Sequence, residues 1–294
     1  MSNETYWKLA VVLPNEETEE IVNDFLLNMK IKNHSKGSII VYRRFLTHFF
    51  SDFTESYKNI SSEEIWEWYQ RKQNHVKETT LSLRLSILSS FYVFCIQEDY
   101  IESSPMKFRW FPRLPQPVPR YLTNGEEAKV RHGIENFSLR ERTLFEFILS
   151  SGCRVGEVSS LNREDIDLES RTAKVTGKGK KIRFVHFSEK AALLLEKYLE
   201  ATKNISPQSL FVTSTGKRLG IRAIQTNMKT VGDTIGTRVY PHRLRHTFAT
   251  NLLAKGAEIS FISEELGHSD LSTTQIYARL PDKSIISLYK KYMG

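Results

Sequence analysis

Between Ser103 and Arg120 the chain carries five prolines: Pro105, Pro112, Pro115, Pro117 and Pro119. Proline fixes φ and lacks an N–H, so neither an α-helix nor a central strand runs through a stretch this dense. It reads as a semi-extended connector. It divides the 294 residues into two parts, each long enough to bury a core of its own. With 40% hydrophobic and 26% charged residues the composition is globular, which excludes disorder as the dominant state. The expected organisation is a helical domain at 15–102, a basic linker at 103–120 and a larger domain at 121–294.

The first part has helical periodicity throughout. Ile39, Tyr42, Leu46, Phe49 and Phe53 form one apolar stripe. Ser61 and Glu64 have the spacing of a capping box that opens a short helix with Ile65, Trp66 and Tyr69. Leu81, Leu85, Leu88, Tyr92 and Cys95 share a face of a helix from about Thr79 to Asp99, and Ile21, Phe25 and Leu26 mark a helix before Lys30. Lys36, Arg43, Arg44, Lys77 and Arg84 on these helices, with Arg109 and Arg113 in the linker, are suited to phosphates. A solvated face is the commoner meaning of such charges.

The second part is mainly α with one small antiparallel sheet. A capping box at Ser138 and Glu141 opens a helix through Ile148. Thr172–Thr176 and Ile182–His186 have strand character and are joined by Gly177-Lys178-Gly179-Lys180, a hairpin-loop composition. Helices follow at about 191–202, 222–231, 242–254 and 258–266. A short helix near 272–278 and a terminal one at 283–292 end the chain.

The net charge of +8 favours an anionic partner. Cys95 and Cys153 are too few and too far apart for a disulfide framework or zinc cluster. Residues 1–15 have no signal-peptide pattern. The apolar stretch Leu85–Gln97 is shorter than the roughly 20 residues that span a bilayer. A soluble, cytoplasmic protein is the expectation.

Four segments of the second part place polar residues where packing alone does not call for them. Arg154 lies between Gly152 and Gly156, with Glu157 placed to orient it; the two also read as a structural pair at a helix end. Lys178, flanked by glycines at a hairpin tip, is either a phosphate contact or a solubilising lysine. His242 and Arg245 are three apart and share a helix face, while His246 reads as a structural histidine. Gly267 ends a helix just before His268, and Tyr277 follows nine residues later. Together the two arginines, lysine, two histidines and tyrosine suit phosphoryl transfer without a metal, since no carboxylate cluster accompanies them to hold Mg2+.

These segments, GCRVGE, GKGK, HRLRHTFATNLL and LGHSDLSTTQIY in that order, resemble the tyrosine recombinase or lambda-integrase family, and most of all its Xer-like and transposon-borne members. The resemblance covers nearly the whole chain. It implies a core-binding domain followed by a catalytic domain with a C-terminal exchange helix at 283–292. It assigns Arg154, Lys178, His242, Arg245, His268 and Tyr277 as catalytic, with Glu157 supporting. One departure is Val185-His186-Phe187, where Xer-like chains often have a proline in the middle.

The resemblance further implies attack by Tyr277 on a DNA phosphodiester. The product is a 3′-phosphotyrosyl link, which stores the bond energy, so no cofactor or metal is expected. The implied partner is a double-stranded recombination site, bound by a homotetramer on two sites with a dimer on each. A paralogous or accessory protein is a further candidate partner; a membrane is not. The expected location is the bacterial cytoplasm, at the nucleoid. The competing readings are a type IB topoisomerase and a non-catalytic DNA-binding regulator. Against the regulator, the helix after Gly256 is acidic and apolar, a poor groove reader.

Overall fold

The computed structural model describes residues 5–73, 76–115, 119–177, 181–205, 208–267 and 274. The chain forms two compact units, 1–115 and 116–294, and the division falls inside the proline-rich stretch.

Among the described residues the first unit has four α-helices: α1 (Glu16–Ile31), α2 (Lys36–Phe50), α3 (Ser62–Gln73) and α4 (Glu78–Gln97). The starts of α1 and α3 have local causes. Asn15 Oδ1 accepts from Thr18 N–H at 2.9 Å, and Glu16, Glu17 and Glu19 complement the positive end of α1. The Ser61–Glu64 capping box is present: Ser61 N–H donates to Glu64 Oε2 at 2.8 Å and Glu64 N–H to Ser61 Oγ at 3.2 Å. The core is aromatic, with Phe49, Trp68, Phe91 and Tyr92 fully enclosed. By length and composition alone α4 could cross a membrane. Its Leu85, Leu88, Phe91, Tyr92 and Cys95 are instead buried in this core, against α1 and α2.

The first half of the proline-rich stretch belongs to this unit. Trp110 is buried and stacks on Trp66 with centroids 5.5 Å apart, and Ser62 Oγ donates to the carbonyl of Pro105 at 2.7 Å. Residues ahead of α1 form a strap across α1 and α2: Arg43 donates to the carbonyl of Lys8 at 3.0 Å, and the Lys30 ammonium lies 3.1 Å from the centre of the Trp7 ring.

The second unit runs α5 (Asn124–Gly133), α6 (Leu139–Ser151), α7 (Val155–Ser160), β1 (Ile166–Asp167), β2 (Thr172–Thr176), β3 (Ile182–His186), α8 (Glu189–Ala201), α9 (Ile221–Ile235), α10 (Pro241–Ala254) and α11 (Ile259–Leu266). The sheet is antiparallel in the order β1-β2-β3, with Thr176 opposite Ile182, and Gly177 N–H donates to the carbonyl of Lys181 at 2.8 Å across the hairpin. Helix α6 is buried along most of its length and packs against α8 and α10. Thr247 of α10 secures the entry to the unit by accepting from Leu122 N–H at 2.8 Å. The expected helices at 272–278 and 283–292 lie outside the described residues, except for Thr274, which is helical and buried.

Candidate active site

Arg154 is the N-cap of α7, just past the turn at Gly152 that ends α6. Gly152 has φ of +62°, a left-handed conformation that suits glycine. A Cβ there would sit 2.4 Å from the Phe248 ring, so α6 and α10 meet at this turn with no room to spare. Glu157, in the first turn of α7, accepts from Arg154 N–H at 2.8 Å and from its Nη1 at 3.1 Å. Arg154 Nη2 donates to the carbonyl of Gly267 at 3.2 Å, and 39% of the side chain stays exposed.

Arg245 is almost fully buried. A buried cation is costly unless its donors are satisfied. Here Nη1 donates to the carbonyl of Gly152 at 2.6 Å and Nη2 to that of Leu266 at 2.7 Å. Both carbonyls lie at helix C-termini, those of α6 and α11, where the helix dipole favours positive charge. The consecutive carbonyls of Leu266 and Gly267 therefore hold the two arginines side by side, immediately ahead of His268.

His242 is in the first turn of α10, started by Pro241. Burial pushes its pKa down, and the charges of Arg245 and Arg154 push it further. A neutral imidazole can accept a proton, as a base must. His246 packs edge-on to it at 4.3 Å, and burial, His242 and Arg245 hold it down at about 4. Cys153, between Gly152 and Arg154 in the chain, is buried, and burial pushes its thiol up to about 12, so it stays protonated and unreactive. A cavity of about 820 Å3 opens beside His242, with Val155, Lys229, Arg238 and Tyr240 in its wall.

The structure thus brings together Arg154, Glu157, His242 and Arg245. Lys178, His268 and Tyr277 lie outside the described residues, although Gly177 and Gly267, which precede two of them, border this cluster. Among the described residues no three metal-ligating side chains converge.

Sequence reasoning missed Arg183 of β3. Its Nη1 and Nη2 donate to Glu157 Oε1 and Oε2 at 2.7 and 3.0 Å, and its Nε to the carbonyl of Glu265 at 3.2 Å. Burial pushes the Glu157 carboxyl up, but the bonds from Arg183 and the Arg154 backbone, with both guanidinium charges, hold it below the usual carboxylate range. The signal was available: strand alternation puts Arg183 on the same face as buried Val185, and an arginine there needs an acid.

Of the candidate DNA-contacting residues, Lys36, Arg44, Lys77, Arg109 and Arg113 are exposed. Arg84 is half-buried, its guanidinium 5.9 Å from the centre of the Phe45 ring. Arg43 is half-buried and holds the strap ahead of α1. At the departure noted in the hairpin strand, His186 Nδ1 lies 2.8 Å from Oε1 of the buried Glu265.

Residues 120–284 match the phage integrase family, and residues 22–99 match the phage integrase N-terminal SAM-like domain. A tyrosine recombinase XerC from Leptospira interrogans is 34% identical over 294 aligned residues that cover 94% of each chain. Among solved structures, the XerA recombinase is 26% identical with a TM-score of 0.54, over 95% of this chain and 99% of that one. A XerH site-specific recombinase bound to its palindromic difH substrate in a post-cleavage complex shares 21% identity and a TM-score of 0.75, over 96% and 92%. At 21% the second likeness speaks to the fold alone.

Proposed function

This chain belongs to the phage integrase family, the enzymes that break and rejoin DNA through a tyrosine, and we propose that it recombines DNA at specific sites with Tyr277 as the nucleophile. The Tyr277 oxygen attacks the scissile phosphorus, the 5′-oxygen leaves, and a 3′-phosphotyrosyl link forms. The 5′-hydroxyl of a partner strand then attacks that link and releases the tyrosine. The bond energy is retained throughout, so no cofactor is needed.

A phenol with a pKa of about 10 needs a base, and neutral His242 takes this part. Charge gathers on the non-bridging oxygens in the transition state, where Arg154 and Arg245 clamp it and His268 adds a hydrogen bond. Lys178 protonates the leaving 5′-oxygen. The observation that carries this reading is the pair of carbonyls at Leu266 and Gly267. They fix two arginines beside each other, one buried and one partly open, with His242 one turn away from Arg245.

Both units contribute DNA contacts. The working assembly is a homotetramer on two sites, with a dimer on each, in which the segment 283–292 docks on a neighbouring copy; a paralogous or accessory protein joins it at some sites. It acts in the bacterial cytoplasm on nucleoid DNA, in resolution or integration of DNA elements. Neither topoisomerase-like relaxation nor a purely regulatory role is favoured.

The test uses a duplex that the protein selects from a random-sequence pool, nicked so that the cleaved strand cannot be resealed. Wild type is expected to accumulate a covalent protein–DNA adduct and Tyr277→Phe none. An adduct formed by Tyr277→Phe overturns the assignment.

A further inference from the structure

Glu157 is the most heavily engaged carboxylate near the site. Its side chain is 3% exposed, and an ionised carboxylate offers about four lone-pair positions. Arg183 fills one on each oxygen, at 2.7 and 3.0 Å. Arg154 fills the others, Oε2 through its backbone N–H at 2.8 Å and Oε1 through Nη1 at 3.1 Å. The planar fork of Arg183 therefore makes the bidentate pair, and Arg154 is left with one side-chain bond to the same acid.

This division bears on where the Arg154 guanidinium points. A buried carboxylate with half its acceptors empty is costly, so it recruits whatever donor is nearest. Arg154 already touches Oε1. Backbone also lies close to the pair. A Cβ on Gly177 would lie 3.4 Å from Glu157 Oε1 and 3.5 Å from Arg183 Nη1, and one on Gly267 would lie 2.8 Å from Arg183 Nε. The backbone leading to Lys178 and the backbone leading to His268 are thus packed directly on the pair.

We propose that Arg183 is a positioning residue for strand cleavage: by occupying both oxygens of Glu157 with its own fork, it prevents Arg154 from closing bidentately on that carboxylate and keeps the Arg154 guanidinium turned toward the scissile phosphate. The proposal rests on the reading of Arg154 as a phosphate clamp. In this role Arg183 needs no contact of its own with the phosphate. Its effect is carried wholly by the neighbour with which it shares an acid, and two arginines on one carboxylate divide the work so that one occupies the acid and the other remains available.

The test compares two versions of the same nicked duplex, one with the natural scissile phosphate and one with a methylphosphonate in its place. The methyl group removes one charged oxygen, so the transition state has less charge for an arginine to neutralise. Arg154→Ala should be slow on the phosphate and recover on the methylphosphonate. Arg183→Met should slow phosphate cleavage by about 100-fold, the scale of a misplaced catalytic group, and the deficit should shrink below about tenfold on the methylphosphonate as the clamp becomes unnecessary. Each ratio comes from a single preparation, so the fraction folded cancels. Arg183→Lys, which keeps the charge but not the fork, is the second variant and should show the same recovery from a smaller deficit. If Arg154→Ala recovers while both Arg183 variants stay equally impaired on the two substrates, Arg183 is merely structural and the proposal is overturned. If Arg154→Ala fails to recover, the clamp reading falls first and the proposal falls with it.

Discussion

His246 makes the folded protein sensitive to acid. Burial and its neighbours His242 and Arg245 hold it at about 4, against about 6.5 for a free imidazole. Between those values the unfolded chain binds a proton that the folded chain refuses, so stability must fall as pH drops through that window and level off near its lower edge. The thermal midpoint is expected to decline from pH 7 to pH 4, and His246→Gln to flatten that decline. His242 is shifted the same way and keeps part of the slope. An unchanged slope in His246→Gln would mean the imidazole is not held neutral. At this scale the candidates Arg154, His242 and Arg245, which the structure brings together, were legible because their side chains suit a phosphate wherever they fold. Two things were not. That Leu266 and Gly267 hold both arginines depends on carbonyls, which every residue has and no side chain advertises. Arg183 was passed over because the alternation in β3 served to identify a strand, when the same alternation also places an arginine beside Val185 on the inner face.

The turn at Gly152 is where elements meet and where the site is most easily broken. It ends α6, its carbonyl receives Arg245, and its Cα lies against the Phe248 ring of α10. An alanine there adds a left-handed backbone penalty of about 1–3 kcal/mol to a clash with the Phe248 ring. Gly152→Ala is expected to lower stability by about 2 kcal/mol or more in denaturant titration; a variant as stable as wild type would show that the turn can relax. Elements were readable where several turns repeat a pattern or where a cap is spelled out. The strands at Thr172–Thr176 and Ile182–His186 have the bounds expected, and Ser61 and Glu64 cap as their spacing implies. Several short elements escaped, three of them instructive. Helix α7 has only six residues, too few for periodicity to register. Strand β1 is a two-residue addition recruited by β2. Helix α5 has a capping box at Thr123 and Glu126 but buries only Val130, so its cap was visible and its stripe was not.

Over the whole molecule, the net charge of +8 is unevenly placed. The lysines and arginines of residues 1–115 do not outnumber its acids, so the excess resides in the second unit. The DNA contact proposed for the first unit must therefore come from sorting its charges, with acids such as Glu16, Glu17 and Glu19 gathered at the start of α1 and cations such as Arg44 and Lys77 exposed elsewhere. Sorting of this kind is measurable through salt. Each phosphate contact releases counterions, and log affinity falls linearly with log salt with a slope of about −0.9 per contact. Replacing a side chain that touches a phosphate should make the slope shallower by about one. Arg44→Ala and Lys77→Ala are expected to do so. Arg43 sits next to Arg44 in the sequence but already donates to the Lys8 carbonyl within its own unit. Arg43→Ala should leave the slope nearly unchanged and weaken binding, if at all, by loosening the strap ahead of α1. Titration of the selected duplex over a range of salt separates these outcomes. A slope change for Arg43→Ala as large as that for Arg44→Ala would mean that Arg43 leaves the strap to bind DNA.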